Sequence, residues 1–206
     1  MSAATRHLYV ISAPSGAGKT SLVKALLAAR ANLAVSVSHT TRRQRPTEID
    51  GRDYHFIDVA RFEQMVAEGA FLEHARVFDN YYGTGRAQLE AQLAAGRDVV
   101  LEIDWQGARQ VRAALPGCIS IFILPPSRAT LEQRLKGRGT DSPEVIARRL
   151  ADAVADMSHW NEFDYVVVND RFEQAVADLS AILDGRGAGQ RTARPGLADF
   201  VAGLLA

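Results

Sequence analysis

Residues 13–20 constrain this chain more than any other stretch. Ala13, Pro14, Ser15, Gly16, Ala17, Gly18, Lys19 and Thr20 follow the apolar run Leu8-Tyr9-Val10-Ile11. They precede a segment that carries Leu22, Val23, Leu26 and Leu27 on one helical side. Strand, glycine-rich turn, Gly-Lys-Thr and helix form the setting in which a phosphate-binding loop carries meaning. The glycines let the backbone curl so that several N–H groups point into one bowl. The helix behind them adds unsatisfied N-terminal donors and the positive end of its dipole. Lys19 then reaches the outer phosphates of a nucleoside triphosphate, and the Thr20 hydroxyl is a ligand for Mg²⁺. Ala13 stands where a first glycine is usual. Alanine is comfortable only at negative φ, so the strand must leave its sheet there without a left-handed kink. The alternative, a glycine-rich turn that binds nothing, is disfavoured by the flanking pattern.

Further along, Asp98–Asp104, Ile119–Leu124 and Tyr165–Asn169 are near-continuous apolar runs separated by helical patterns. Such runs predict an α/β fold whose parallel sheet is covered by helices on both faces. Between the first run and these, Val35–Ser38 alternates like a short strand. Asp50-Gly51 is a hairpin signal, with Tyr54-His55-Phe56-Ile57 as the return strand. Asp58 caps a short helix carrying Phe62, Met65 and Val66, which Gly69 stops. Phe71–Ala75 and Val77-Phe78 form a further strand-pair candidate. Residues 127–160 read as charged helices broken at 137–143. The run from Gly185 to Gly196 reads as a flexible linker. Leu197–Ala206 reads as a small amphipathic helix. Three fates are open to it: docking on the body, pairing with another copy as a homo-oligomer, or fraying.

Composition narrows the class. A formal net charge of zero over 206 residues implies no surface that seeks nucleic acid. No stretch is long and apolar enough to span a bilayer. The single cysteine, Cys118, argues against a disulfide framework and fits a reducing compartment. No leader pattern is evident at the start, and a cytoplasmic location is expected.

Segment 36–84 is rich in groups suited to a small anionic ligand with a polar ring. Arg42 and Arg45 are three apart and can both fork onto one phosphate. Tyr54 and Tyr82 can each donate a phenolic hydroxyl to the same oxygens. Glu73 lies in an otherwise apolar strand, where an unpaired carboxylate is costly. Two plainer readings stay open from the residues alone: a solvated basic loop, and an acid on the solvent face of its strand.

Several linked motifs carry a resemblance. Ser38-His39-Thr40-Thr41-Arg42-Arg43-Gln44-Arg45-Pro46 with Asp50-Gly51-Arg52-Asp53-Tyr54-His55-Phe56 resembles the acceptor-binding signature of guanylate kinases. So do Asn80-Tyr81-Tyr82-Gly83-Thr84, Asp104-Trp105-Gln106-Gly107, Arg134-Leu135-Lys136-Gly137-Arg138-Gly139 and Val168-Asn169-Asp170. The likeness runs in unbroken order over about residues 6–184, and its Ala-Pro-Ser loop is similar to bacterial members. It implies a P-loop kinase core at 1–35, 85–135 and 151–184. Added to that core are a small mixed α/β acceptor-binding insertion at 36–84, a helical lid at 136–150 and a flexible C-terminal tail at 185–206.

The resemblance further implies phosphorylation of GMP, and of dGMP, by ATP. The GMP phosphate falls to Arg42, Arg45, Tyr54 and Tyr82, and the base to Ser38, Glu73, Thr84 and Asp104. Glu73 would accept from guanine N1–H and the N2 amine, and Ser38 would donate to O6. Adenine would leave Glu73 buried and unmet. The nucleophile is a phosphate oxygen already ionised, so no general base is required. Catalysis then rests on in-line positioning and charge stabilisation by Lys19, Arg42, Arg134, Arg138 and Arg149. Asp104 is placed to act on metal-bound water or on the acceptor. Asn169 would contact the adenine of ATP. Three rival readings are a ribose bisphosphate kinase of the same build, a non-catalytic guanylate-kinase-like binding module and a signalling GTPase. The purine-edge set, the intact Gly18-Lys19-Thr20 and the lack of an Asn-Lys-x-Asp motif weigh against them in turn.

Overall fold

The computed structural model of the protein describes residues 6–77, 79–137 and 143–206. In chain order its elements are β1 (Leu8–Ser12), α1 (Lys19–Ala29), β2 (Leu33–Val35), β3 (His39–Thr40), β4 (His55–Phe56) and α2 (Val59–Ala67). Then come β5 (Phe71–Val77), β6 (Asn80–Gly85), α3 (Arg86–Ala94), β7 (Asp98–Glu102), α4 (Trp105–Ala114) and β8 (Ile119–Leu124). The last are α5 (Arg128–Lys136), α6 (Pro143–Met157), β9 (Tyr165–Val168), α7 (Phe172–Leu183) and α8 (Leu197–Leu205). The larger sheet has the order β2-β7-β1-β8-β9, and the smaller one β4-β3-β6-β5. In the larger sheet β2 pairs parallel with β7, and β8 with β9. Helices flank it, giving the α/β class that the apolar runs predict. Residues 8–12, 99–101 and 120–124 are buried throughout, which is why those strands show no alternation.

The chain divides into two compact units, Met1–Val10 with Arg30–Ile119 and Ile11–Ala29 with Ser120–Ala206. Within the first unit β6 runs into α3 through Gly85 with no linker, and β5 packs along α4.

In the first unit, the Asp58 side chain accepts from the Arg61 N–H at 2.7 Å and starts α2. That helix buries Phe62 and Met65 against Phe71. The Phe62 ring stacks on Phe71 at 4.6 Å and on Tyr81 at 5.3 Å. The expected hairpin at Asp50-Gly51 is absent, because β4 pairs parallel with β3. Parallel strands need a crossover rather than a two-residue turn. The connection from β3 to β4 is a long loop, held by Asp53 accepting from the Ile49 N–H and Asp50 accepting from the Phe56 N–H.

β5 and β6 pair antiparallel with a bulge between Phe71 and Glu73. Phe71 lies opposite Gly85 and Glu73 opposite Thr84. Two residues on one strand thus match a single step on the other, and the side-chain alternation inverts across the bulge. Phe71 shares its face with Gly83, where a β-carbon would press on the Phe71 ring at 2.9 Å. Glu73 is delivered to the opposite face, beside Thr84.

In the second unit, α1 turns Leu22, Val23 and Leu26 inward, and α7 packs on it with Ala175, Leu179 and Ile182 buried on its own inner side. Residues 185–206 are not a flexible tail. Arg191 forms an isolated antiparallel bridge to Tyr165 on β9, and its guanidinium lies 4.5 Å from the Tyr165 ring centroid. The Thr192 N–H donates to the Asp164 carbonyl at 3.1 Å, and the Thr192 hydroxyl to the Phe163 carbonyl at 2.5 Å. Arg194 Nη1 donates to the Val166 carbonyl at 2.8 Å. The segment covers the backbone edge that β9 would otherwise leave open. Of the three fates for the last helix it docks, with Leu197, Val201 and Leu204 buried. No helix among the described residues is long and apolar enough to cross a membrane.

A docked α8 predicts that Leu204→Ala lowers stability by about 2 kcal/mol, the low end for a buried leucine. Thermal melts check this, and an unchanged midpoint would return the segment to a loose tail.

Candidate functional site

The phosphate loop belongs to the second unit. Gly16 and Gly18 sit at φ of 90° and 95°, the left-handed region. The curl is made at these two glycines. The Ala17 N–H closes a turn onto the Pro14 carbonyl at 3.2 Å, and the Leu22 N–H onto Gly18 at 3.1 Å begins α1. Lys19 is the first residue of that helix and Thr20, the second, is exposed. This is the curled loop and helix N-terminus that an anion needs.

What holds the loop comes from elsewhere in the same unit. A β-carbon at Gly16 would meet Leu131 and Leu135 of α5 at 3.0 and 3.1 Å. One at Gly18 would collide with the Asn169 amide. Asn169 is 4% exposed, and its Nδ2 donates to the Ala17 carbonyl at 2.7 Å. Its own N–H donates to Leu124 at the end of β8 at 2.8 Å. Asn169, expected as an adenine contact, has its amide donor engaged by the phosphate loop. Arg134, expected as a catalytic arginine, places Nη2 3.0 Å from the Asn169 carbonyl and Nη1 3.5 Å from that of Ala17. Both side chains brace the loop. Arg149 lies half-buried on α6, and Arg138 falls outside the described residues.

The second cluster belongs to the first unit. Glu73 is 3% exposed and Thr84 fully buried, and the Thr84 hydroxyl donates to Glu73 Oε1 at 2.6 Å. The solvent-face reading of this acid is overturned. A β-carbon at position 107 would run into Glu73 Oε2, so any larger residue there would have to displace the carboxyl group. Asp104 caps α4, its Oδ1 accepting from the Gly107 N–H at 2.9 Å and its Oδ2 from Gln106 Nε2 at 3.1 Å. The same carboxylate thus fixes the helix end that faces Glu73. Ser38 is buried, and its carbonyl accepts from the His55 N–H at 2.9 Å.

Arg42, Tyr54 and Tyr82 come together. The Arg42 guanidinium lies 5.4 Å from the Tyr54 ring centroid and 5.7 Å from that of Phe56. The Tyr54 and Tyr82 rings meet edge-on at 6.0 Å. Burial first, then the neighbouring Tyr82 and Glu102, push the Tyr54 phenol up to about 12. Its hydroxyl is therefore a proton-bearing donor throughout the neutral range.

Residues outside the expected set also shape the site. Glu48 takes Arg42 in a two-pronged pair at 2.8 and 3.1 Å. Gln110 on α4 accepts from the His74 N–H at 3.1 Å and donates to the His74 carbonyl at 2.8 Å. It thereby copies a strand partner along the outer edge of β5, next to Glu73. The Arg-x-x-Arg-x-x-Glu spacing was a legible signal for Glu48. Nothing local announces Gln110.

Comparison with known proteins gives one family. The guanylate kinase family model matches residues 5–186. A guanylate kinase of Methylococcus capsulatus is 60% identical over 198 residues, covering 96% of this chain and 97% of that protein. One from Chromohalobacter salexigens is 58% identical, covering 97% of this chain and 91% of that protein. The crystal structure of guanylate kinase from Anaplasma phagocytophilum superposes with a TM-score of 0.72 at 33% identity, covering 95% of this chain and 93% of that one.

Gly18→Ala tests the loop geometry. A left-handed alanine beside the Asn169 amide is expected to weaken nucleoside triphosphate binding about tenfold or more. Calorimetric titration reads the change, and wild-type affinity would show that the loop tolerates a β-carbon there.

Proposed function

The chain belongs to the guanylate kinase family and is an ATP:GMP phosphotransferase, and from that premise we propose which of its residues perform each part of the transfer. Lys19 and the N–H groups of residues 15–20 take the donor phosphates. Arg42, Arg45, Tyr54 and Tyr82 take the phosphate of GMP, and Ser38, Glu73, Thr84 and Asp104 read its base.

The observation that carries this assignment is the buried Glu73 carboxyl with Thr84 at 2.6 Å. A purine edge with two adjacent N–H donors meets such an acceptor, whereas adenine presents a lone pair at N1. Failing to meet a buried acceptor costs more than the bond is worth in water, so the penalty falls on the wrong base. At the other end, Arg42 lies against the Tyr54 and Phe56 rings and is gripped by Glu48, with the phenols of Tyr54 and Tyr82 nearby. Fixed donors aimed at a dianion need no reorganisation when it arrives.

The acceptor oxygen is ionised at neutral pH, and no proton has to be removed before attack. The work of the chain is then to hold two anions and to spread the charge that moves between donor and acceptor. Lys19 follows that charge on the donor side and Arg42 on the acceptor side. Arg149 and Arg138 are proposed to act from the segment 136–150, expected as a lid. Asn169 and Arg134 are proposed to serve through the loop they brace rather than by touching the nucleotide base.

A divalent cation fits this donor set. The Thr20 hydroxyl is exposed at the helix start, and no described cluster of three or more His, Cys, Asp or Glu residues offers a site of its own. A hard cation such as Mg²⁺ accepts one hydroxyl with phosphate oxygens and water. Thr20 would hold it, and when bound it neutralises phosphate charge. ATP and GMP as substrates also fit work in the cytoplasm.

An ADP-release assay over GMP, dGMP, AMP, UMP and ribose bisphosphate tests the substrate assignment, with GMP and dGMP expected as the acceptors used. Lys19→Ala is expected to lower kcat by about a hundredfold or more with the melting temperature unchanged. Wild-type turnover would remove Lys19 from the charge-stabilising set. Glu73→Gln is expected to raise KM for GMP about a hundredfold while KM for ATP moves little. Equal losses for both nucleotides would take Glu73 out of base recognition.

A further inference from the structure

We propose that Glu48 is a positioning residue of the acceptor-phosphate site, holding Arg42 and the backbone of residues 42–48 ready for the monophosphate. The inference rests on the assignment of Arg42 and Arg45 to that phosphate.

Glu48 is the hub of its loop. Both its carboxylate oxygens face Arg42, one at 2.8 Å from Nη2 and the other at 3.1 Å from Nη1. The Arg45 N–H donates to the second oxygen at 2.8 Å, and Arg45 Nη1 lies 3.5 Å from the first. The Glu48 N–H returns a bond to the Arg45 carbonyl at 3.0 Å, and Gln44 Nε2 donates to the Glu48 carbonyl at 2.6 Å. The Arg42 and Glu48 side chains are only 16% and 13% exposed. This is a two-pronged, largely desolvated pair, unlike the open ion pairs elsewhere on the surface. Partial burial alone would raise the Glu48 carboxyl, but the bonds from Arg42 and the Arg45 amide outweigh it and hold it below the usual carboxylate range.

The geometry decides which edge of Arg42 is left for a ligand. A guanidinium carries five coplanar N–H groups. Two are directed at Glu48 and a third donates from Nη1 to the Arg43 carbonyl at 2.7 Å. The fork is thereby held from one side, with the Tyr54 and Phe56 rings 5.4 and 5.7 Å from its central carbon. The two remaining donors, Nε–H and the second Nη2 N–H, share the other edge of the guanidinium. An arginine so fixed loses little freedom when a phosphate binds, whereas a loose one must be ordered at that moment. Glu48 also supplies a counter-charge that lets Arg42 and Arg45 stay close before any ligand arrives. Its negative charge opposes the incoming dianion, but it lies behind the guanidinium and acts through it.

Steady-state kinetics on Glu48→Gln in the full chain test this. KM for GMP is expected to rise about tenfold, with KM for ATP within about threefold of wild type. Glu48→Asp keeps the charge but withdraws it by one methylene. It is expected to give a smaller rise in the same parameter and provides a second reading should Glu48→Gln fold poorly. In an Arg42→Ala background, Glu48→Gln is expected to add less than about a twofold change, because its effect passes through the missing guanidinium. An unchanged KM for GMP would overturn the proposal. A lowered KM would also overturn it, by showing that Glu48 competes with the phosphate. Additive losses in the double variant would overturn it as well. Arg42→Ala alone separates the two levels: if it leaves KM for GMP unchanged, the assignment of the phosphate site itself fails. If it raises KM while Glu48→Gln does not, only the role of Glu48 fails.

Discussion

Keeping the Glu73 carboxyl group in the interior is the constraint around which the acceptor half is built. A buried acid is tolerable only when donors reach it, and Thr84 is the donor that β6 brings. That pairing exists because the bulge after Phe71 reverses the alternation of β5. Without it Phe71 and Glu73 would share a face, and one strand would have to offer its α2-facing side both a ring and a carboxyl group. With it, α2 packs on the aromatic side and α4 approaches the polar side. Gly107 leaves room for the carboxyl group beside α4, and the end of α4 is set by Asp104. Sheet irregularity, helix cap and glycine are thus consequences of one polar group.

The phosphate loop shows the same economy in the other unit. Its left-handed glycines permit the curl but do not enforce it, since glycine is the residue with the most freedom to lose. Enforcement comes from packing against Leu131 and Leu135 and from the bond that Asn169 makes to Ala17. Arg134 ties the two carbonyls of this arrangement together. Asn169 and Arg134 thus both bond to the loop from behind.

Much of this was legible because it is local. The loop motif, the Asp58 cap and the apolar strand runs each depend on residues a few positions apart. Arg42, Tyr54, Tyr82, Glu73 and Thr84 were legible by type and by likeness, and the structure brings the first three together and pairs the last two. The bulge was not legible, because register is decided by a partner strand rather than by the strand itself. The parallel pairing of β3 with β4 hid behind a strong hairpin dipeptide for the same reason. The order of residues 185–196 was hidden too. Their glycines, arginines and proline read as a linker, and what fixes them is the unpaired edge of β9, a feature of the fold and not of the segment.

A transfer between two phosphates asks little covalent chemistry of the protein, and that changes where function resides. With an acceptor already ionised, there is no proton to place and no side chain whose loss abolishes a chemical step outright, so the rate depends on how firmly two anions are held and oriented. Firmness is a property of supports. The Glu48 carboxylate behind Arg42 and the Asn169 amide behind Ala17 are each one bond removed from a group assigned to substrate, and the Gln110 amide holds the backbone of the residue after Glu73. In an enzyme that works by general acid–base catalysis such residues would be secondary. Here they set the same quantity that the contacting residues set, and the boundary between scaffold and site is correspondingly thin.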